Sequence, residues 1–238
     1  MVSRTRSRSA PGSRWHRTLI LLGWPAGLTR MAWRYLWRTT PVHRCEVPAD
    51  ETDVRPIPDE LRDEDIQDVA DGVGTLLHRR YWVLVEGARA SPEEVIEHFA
   101  CGPNRAAPAE MAVFDKAIGP QGRLRLGDEF HIRMPGPWDG PVRVIDRGPA
   151  SFRFATLRGH LEAGQIEFRA RTEGATMRIE IESWARPGDR LSDLLFNHLP
   201  LAKETQLTLW VETCLRLAQA TGGRTRDGVH VHTRRIRC

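Results

Sequence analysis

The sequence predicts an α+β domain in which a curved antiparallel sheet wraps around a long C-terminal helix, the helix-grip arrangement. Two observations carry this expectation. Between Phe152 and Arg186, apolar and polar residues alternate in three consecutive runs: Phe152, Phe154 and Thr156, then Ile166, Phe168 and Ala170, then Met177, Ile179 and Ile181. On the segment Pro200–Ala220 that follows, Leu207, Trp210, Val211, Cys214, Leu215, Leu217 and Ala218 share one arc, with Thr208, Glu212, Thr213, Arg216 and Gln219 on the other. A helix with so wide an apolar arc needs a cover, and the concave face of the sheet is the economical one.

The charge is distributed unevenly. The net charge of +4 over 238 residues conceals nine arginines and no acidic residue in residues 1–45, a +9 tail on a −5 body. A dedicated nucleic-acid binder shows a basic surface on the folded domain, so no specific nucleic-acid binding is expected. Ser3–Ser13 is rich in Arg and Ser and reads as disordered. After it Leu28, Met31, Ala32, Tyr35 and Leu36 recur at helical spacing beside a row of Arg30, Arg34 and Arg38. With Trp15, Trp24, Trp33 and Trp37, such a helix suits an anionic membrane surface, and it equally suits packing on the main domain. Leu19–Leu28 is too short to span a bilayer. Cys45, Cys101, Cys214 and Cys238 form no CxxC pair, which favours a reduced, cytoplasmic setting, with the tail able to bring the protein to the membrane periphery.

Four regions follow: the basic tail 1–45, an extended proline-containing linker 46–75, a helix-grip domain 76–223, and 224–238 as a basic C-terminal tail or short strand. Tyr81–Val85 reads as a strand. Ser91-Pro92-Glu93-Glu94 is a helix start: a capping hydroxyl, a proline whose missing N–H is not needed there, and carboxylates at the positive end of the dipole. Met111–Ala117, Asp128–Met134 and Val142–Asp146 are further strands, with the prolines and Asp139-Gly140 of residues 135–141 as a stiff turn. Ser192 caps a short helix around Leu194–Asn197, and Gly222-Gly223 ends the long one.

Several motifs in the right order, Thr156–Phe168 (TLRGHLEAGQIEF), Glu182–Leu191 (ESWARPGDRL) and Leu201–Gln206 (LAKETQ), resemble the uncharacterised family known as domain of unknown function nineteen-ninety, over roughly Tyr81 to Gly223. The resemblance implies a START-like, Bet v 1-like fold, which is the helix-grip class. Relatives elsewhere in that superfamily bind lipids, hormones and polyketides, and some are cyclases or dehydratases. The resemblance selects none of these chemistries.

The candidate site residues are Trp138, His160, Glu162, Lys203 and Glu204. His160 and Glu162 lie in a glycine-bounded connection, placed either as a general base with its orienting carboxylate or as solvated hairpin residues. Trp138 is a lid over a cavity mouth or a cap on the core edge. Lys203 and Glu204 project towards the apolar arc of the long helix; if buried they need partners, such as Arg186 or Glu180, and otherwise they occupy an exposed first turn. Glu167, Glu180 and Glu182 are expected to face water on the convex side, paired with Arg153, Arg169, Arg171 and Arg178. His230 and His232 form an HxH pair without a third ligand in sight, so no metal is expected. Gly72-Val73-Gly74 lacks the rest of a dinucleotide fingerprint, and no cofactor is expected. Three functions remain open: a binding module for a small hydrophobic ligand, a cyclase- or hydrolase-like enzyme using His160 and Glu162, and a membrane- or partner-associated structural protein with a filled core.

Overall fold

A computed structural model describes residues 40–49, 54–134, 139–190, 192–193 and 200–236, apart from the side chains of Asp139 and of residues 200–205. The expected tail helix, Trp138 and the short helix at 194–197 lie outside the described residues. Nine strands form one sheet: β1 (Val42–Ala49), β2 (Leu76–Glu86), β3 (Val113–Ile118), β4 (Glu129–Arg133), β5 (Asp139–Gly148), β6 (Ser151–Thr156), β7 (Glu162–Glu173), β8 (Thr176–Pro187) and β9 (Arg224–Ile236). Their order is β1-β9-β2-β8-β7-β6-β5-β4-β3. All neighbours are antiparallel except β1 and β9. The helices are α1 (Pro92–Cys101), α2 (Pro103–Ala106) and α3 (Pro200–Ala220). Because the sheet folds around the C-terminal α3, the fold is the helix grip.

The register explains the grip. Phe152 pairs with Phe168, and Phe168 with Ile181, which pairs with Tyr81, so one row of large apolar side chains crosses four strands on the concave face. Phe168 stacks on Phe152 at 4.9 Å and meets the ring of Trp210 from α3 edge-on at 5.5 Å. Phe99 of α1 closes the cluster at 5.1 Å from Phe168. The expected start of α1 is realised as a capping box: the Ser91 hydroxyl accepts from Glu94 N–H, and the Glu94 carboxylate accepts from Ser91 N–H at 2.7 Å. Of the expected arc, Trp210, Val211, Cys214, Leu217 and Ala218 are buried and Leu207 and Leu215 are half-buried, while Leu209, outside that arc, is buried as well. Thr208 and Thr213, placed on the outer side by periodicity, are buried too. The segment after α2 reaches that side of α3, where Arg216 donates to the Ala107 carbonyl, and Thr213 satisfies its hydroxyl on the Leu209 carbonyl.

Three features differ from the expectations. First, the basic C-terminal segment is a full 13-residue strand, β9, lying between β2 and β1. Val229 and Val231 alternate inward opposite Val83 and Tyr81, a pattern hidden by the surrounding arginines. Second, residues 46–75, read as an extended linker, contain the end of β1 and then a strap across the convex face. Ile57 and Ile66 are buried there against Ile145, Ala155 and Leu157. The Arg55 and Pro56 carbonyls accept from Gln165 and Arg153, and Arg143 pairs with Asp63 at 2.9 Å.

Third, Glu167, Glu180 and Glu182 do stand on the convex side but do not face water; Glu180 is 1 % exposed. Of the arginines expected to pair with them, Arg169, Arg171 and Arg178 do so, whereas Arg153 turns to Gln165 and Asp146. Arg169 reaches Glu167 at 2.8 Å, Glu180 at 3.2 Å and Glu182 at 2.5 Å; Arg80 and Arg178 also hold Glu180, and His78 meets Glu182 at 2.7 Å. Burial alone would raise the Glu180 and Glu182 pKa values, but Arg169 and the neighbouring cations and donors outweigh it and hold both below the ordinary carboxylate value. Their stabilising contribution is therefore present above that value and lost as pH falls through the lower folded one. Glu180→Gln is expected to cost about 3 kcal/mol at pH 7, because it leaves clustered arginines unpaired. Chemical denaturation from pH 7 down to pH 3 should also show that the variant loses less stability on acidification than the parent.

Candidate functional site

The site is assembled where β2, the start of β7 and the first described side chains of α3 meet. Leu77, Arg79, Tyr81, Val83 and Val85 alternate on β2, so Arg79 points to the concave side in phase with apolar neighbours. Glu162 opens β7 on the same face, opposite Pro187 of β8. Gln206, Trp210 and Cys214 share one face of α3 at i, i+4 and i+8. Gln206 bridges the two strands: its amide nitrogen donates to the Glu162 carboxylate at 2.8 Å, and its amide oxygen accepts from Arg79. Tyr81 lies beside Arg79 and Glu162, yet its buried hydroxyl has no hydrogen-bond partner of ordinary geometry, and neither does the Trp210 indole N–H.

Burial pushes the Glu162 pKa up, only partly offset by Arg79 and Gln206, and it pushes the Tyr81 phenol up as well. The cluster thus gathers donors, namely a guanidinium, a primary amide and a phenol, in an apolar surround. Such an arrangement receives an oxygen acceptor, a carbonyl or carboxylate, and offers little to a cation.

The connection Leu157–Gly164 holds Glu162 in place. Gln67 of the strap donates to the His160 and Glu162 carbonyls, and its own carbonyl accepts from Gly164 N–H and from the Thr156 hydroxyl. Gly164 has φ +150°, and a Cβ there would stand 2.0 Å from the Trp184 carbonyl, so only glycine permits this approach of β7 to β8. The His160 ring packs against Gly140, where an added Cβ would lie 3.0 Å from Nε2. Its Nδ1 lies 2.9 Å from the Glu162 backbone nitrogen and 3.0 Å from the Glu162 carbonyl oxygen, so the ring is held by the Glu162 backbone in either tautomer. Burial lowers its pKa to about 4.

The structure therefore separates the residues expected to act together. His160 is engaged with the Glu162 backbone, while the Glu162 carboxylate turns to Gln206. Trp138 and the side chains of Lys203 and Glu204 lie outside the described part. The partners suggested for that pair are occupied elsewhere: Arg186 donates to the Val69 and Ala70 carbonyls, and Glu180 sits on the convex face. His230 stacks between His43 and Trp82 at 4.8 and 5.1 Å; among the described residues no three His, Cys, Asp or Glu are grouped to hold a metal ion. Among the described residues no helix is long and apolar enough to cross a membrane. Sequence reasoning missed Arg79, Tyr81 and Gln206. A charge in phase with Leu77, Tyr81 and Val83 was a legible sign, concealed because the strand was read from Tyr81 onwards.

No family model matches this chain, and no curated protein matches it. Solved structures do. A hypothetical protein of Helicobacter pylori is 10% identical, with a TM-score of 0.46, covering 74% of this chain and 99% of that one. Ginseng major latex-like protein 151 from Panax ginseng is 14% identical, with a TM-score of 0.42, covering 62% and 97%. Norcoclaurine synthase from Thalictrum flavum, in complex with dopamine and hydroxybenzaldehyde, is 10% identical, with a TM-score of 0.43, covering 72% and 96%. At these values the likenesses carry no argument about activity. The strand order and the gripped helix themselves give the helix-grip fold.

Two opposed pH effects follow. His160 stays neutral when folded, so its contribution is complete above about pH 6.5 and declines as pH falls towards 4. His160→Gln should flatten the stability profile in that window, by at most about 3 kcal/mol. Burial holds the Glu162 pKa above its ordinary value of 4.5, so its contribution is present below 4.5 and lost as pH rises through the raised value. Glu162→Gln should remove that loss, read by denaturant midpoints between pH 4 and pH 8.

Proposed function

We propose that the domain binds a small, mainly apolar molecule carrying one hydrogen-bond-accepting oxygen, held between the concave face and α3. The observation that supports this most strongly is the Arg79–Gln206–Glu162 relay beside the unpartnered Tyr81 hydroxyl, with the unpartnered Trp210 indole one turn of α3 beyond Gln206. Each buried donor without a partner costs about 1–3 kcal/mol, and a ligand oxygen received there relieves that cost. The aromatic rings of Phe152, Phe168 and Trp210 supply the apolar wall. In this reading His160 positions the hairpin that carries Glu162, and Trp138, Lys203 and Glu204 border the opening. In this reading the resemblance of Thr156–Phe168, Glu182–Leu191 and Leu201–Gln206 to the domain-of-unknown-function nineteen-ninety family is also kept, and it adds no reaction. A cytoplasmic location and contact of the basic tail with an anionic membrane are separate proposals that this site does not need.

The enzyme reading with His160 as base is less well supported, because the His160–Glu162 interaction runs through the backbone and leaves the carboxylate elsewhere. The fluorescent probe 1-anilinonaphthalene-8-sulfonate, apolar rings with an anionic acceptor, tests the binding reading. It is expected to bind the folded protein with a blue-shifted emission. Arg79→Leu or Gln206→Leu should weaken it about tenfold, the value of one charge-assisted hydrogen bond. No enhancement with the probe, together with no co-purified small molecule in native mass spectrometry, would count against it.

A further inference from the structure

Ile118 and Leu126 are the exposed large hydrophobic residues among the described ones, 54 % and 56 % exposed; Ile118 ends β3 and Leu126 lies in the connection from it to β4. Scattered single residues of this kind need no explanation. Here, however, the surrounding segment Ala117–Gly127 (AIGPQGRLRLG) contains Arg123 and Arg125, both exposed, and no acidic residue, on a body of net charge −5. The carboxylates that flank it are already engaged: Asp115 by Arg133 at 2.6 Å, Glu129 by Arg143 at 2.7 Å, and Asp128 by Lys116 at 2.5 Å.

The tip is also held in shape. Lys116 and Asp128 form a pair whose side chains are 5 % and 6 % exposed. The Lys116 ammonium further donates to the Pro120 and Arg123 carbonyls, and Asp128 accepts from Arg125 N–H at 2.8 Å. Leu124 is buried and anchors the loop, and Gly127 N–H donates to the Val144 carbonyl. A buried ion pair thus fixes a loop that presents two apolar side chains and two arginines to solvent. That combination is complementary to an anionic bilayer, where apolar groups enter the acyl boundary and arginines meet phosphate and carboxylate headgroups. We infer that the Ala117–Gly127 tip is a docking element for an anionic lipid surface, independent of the basic N-terminal segment.

Co-sedimentation of the full chain tests this, with phosphatidylcholine vesicles containing about 30 % phosphatidylserine at about 0.1 M salt. The parent and an Arg30→Gln/Arg34→Gln/Arg38→Gln variant are both expected to pellet with these vesicles, and less with phosphatidylcholine alone. Ile118→Ser/Leu126→Ser should lower partitioning about tenfold or more. Arg123→Gln/Arg125→Gln should lower it on the anionic vesicles only. Both sites are exposed, so each variant should melt at the parent's temperature, and two unrelated variant pairs guard against misfolding of either. The inference is overturned if the parent does not co-sediment. It is equally overturned if folded tip variants partition like the parent while the N-terminal variant loses binding.

Discussion

The contact between Phe168 and its neighbours is the constraint on which the rest of the structure depends. Phe168 sits in the middle of β7, stacks on Phe152 of β6, meets Phe99 of α1 and receives Trp210 of α3. Sheet, short helix and long helix therefore share one apolar junction. Burial of this much aromatic surface is the main stabilising contribution. It also fixes the phase of α3: with Trp210 pinned on Phe168, Gln206 one turn earlier must reach towards Arg79 and Glu162, and Cys214 one turn later must be buried. Packing thereby places the one bridging amide.

The two faces of the sheet use charge in opposite ways. On the convex face three glutamates are buried under arginines, and the pairs are completed within the protein. On the concave face a guanidinium, a phenol and a carboxyl whose pKa burial raises meet around a single amide, with the Tyr81 hydroxyl left over. A buried network with every member satisfied is structural, whereas a partly satisfied one is costly unless something else completes it. Buried donors without a partner occur on both faces, at Arg153 Nε, Arg169 Nε and the Trp184 indole on the convex side as well as at Tyr81 and Trp210; the concave cluster is the binding site proposed because it lies between the sheet and α3, whereas each convex glutamate already has its cations. The β3–β4 tip is a third arrangement, in which a buried pair holds apolar and basic groups outside.

Much of the fold was legible from residues alone. Alternation at Phe152–Thr156, Ile166–Ala170 and Met177–Ile181 gave three strands because each has one apolar face, and Ser91-Pro92-Glu93-Glu94 gave α1 because capping chemistry is local. The rest depends on partners distant in sequence. Val42–Ala49 is a strand only because β9 lies beside it, and Ile57 and Ile66 are buried only because Ile145 and Leu157 receive them. Alternation placed Glu180 on the correct face but could not foresee that arginine stems would cover it. At the site, the glycine-bounded connection drew attention to Glu162 correctly and to His160 for a different role. Arg79 and Gln206, separated by 127 positions, meet only in the folded chain.

The two buried, unpartnered indoles provide the most direct test of the binding site, because they lie on opposite faces. Trp210 borders the concave cluster, and Trp184 stacks on His78 on the convex side at 5.2 Å. In ¹⁵N-resolved spectra of the protein titrated with decanoate, an apolar chain with one carboxylate, binding at the cluster predicts a progressive shift of the Trp210 indole N–H while that of Trp184 stays fixed. Displacement of Trp184 with Trp210 unmoved, or no change at either up to about 1 mM ligand, would contradict it.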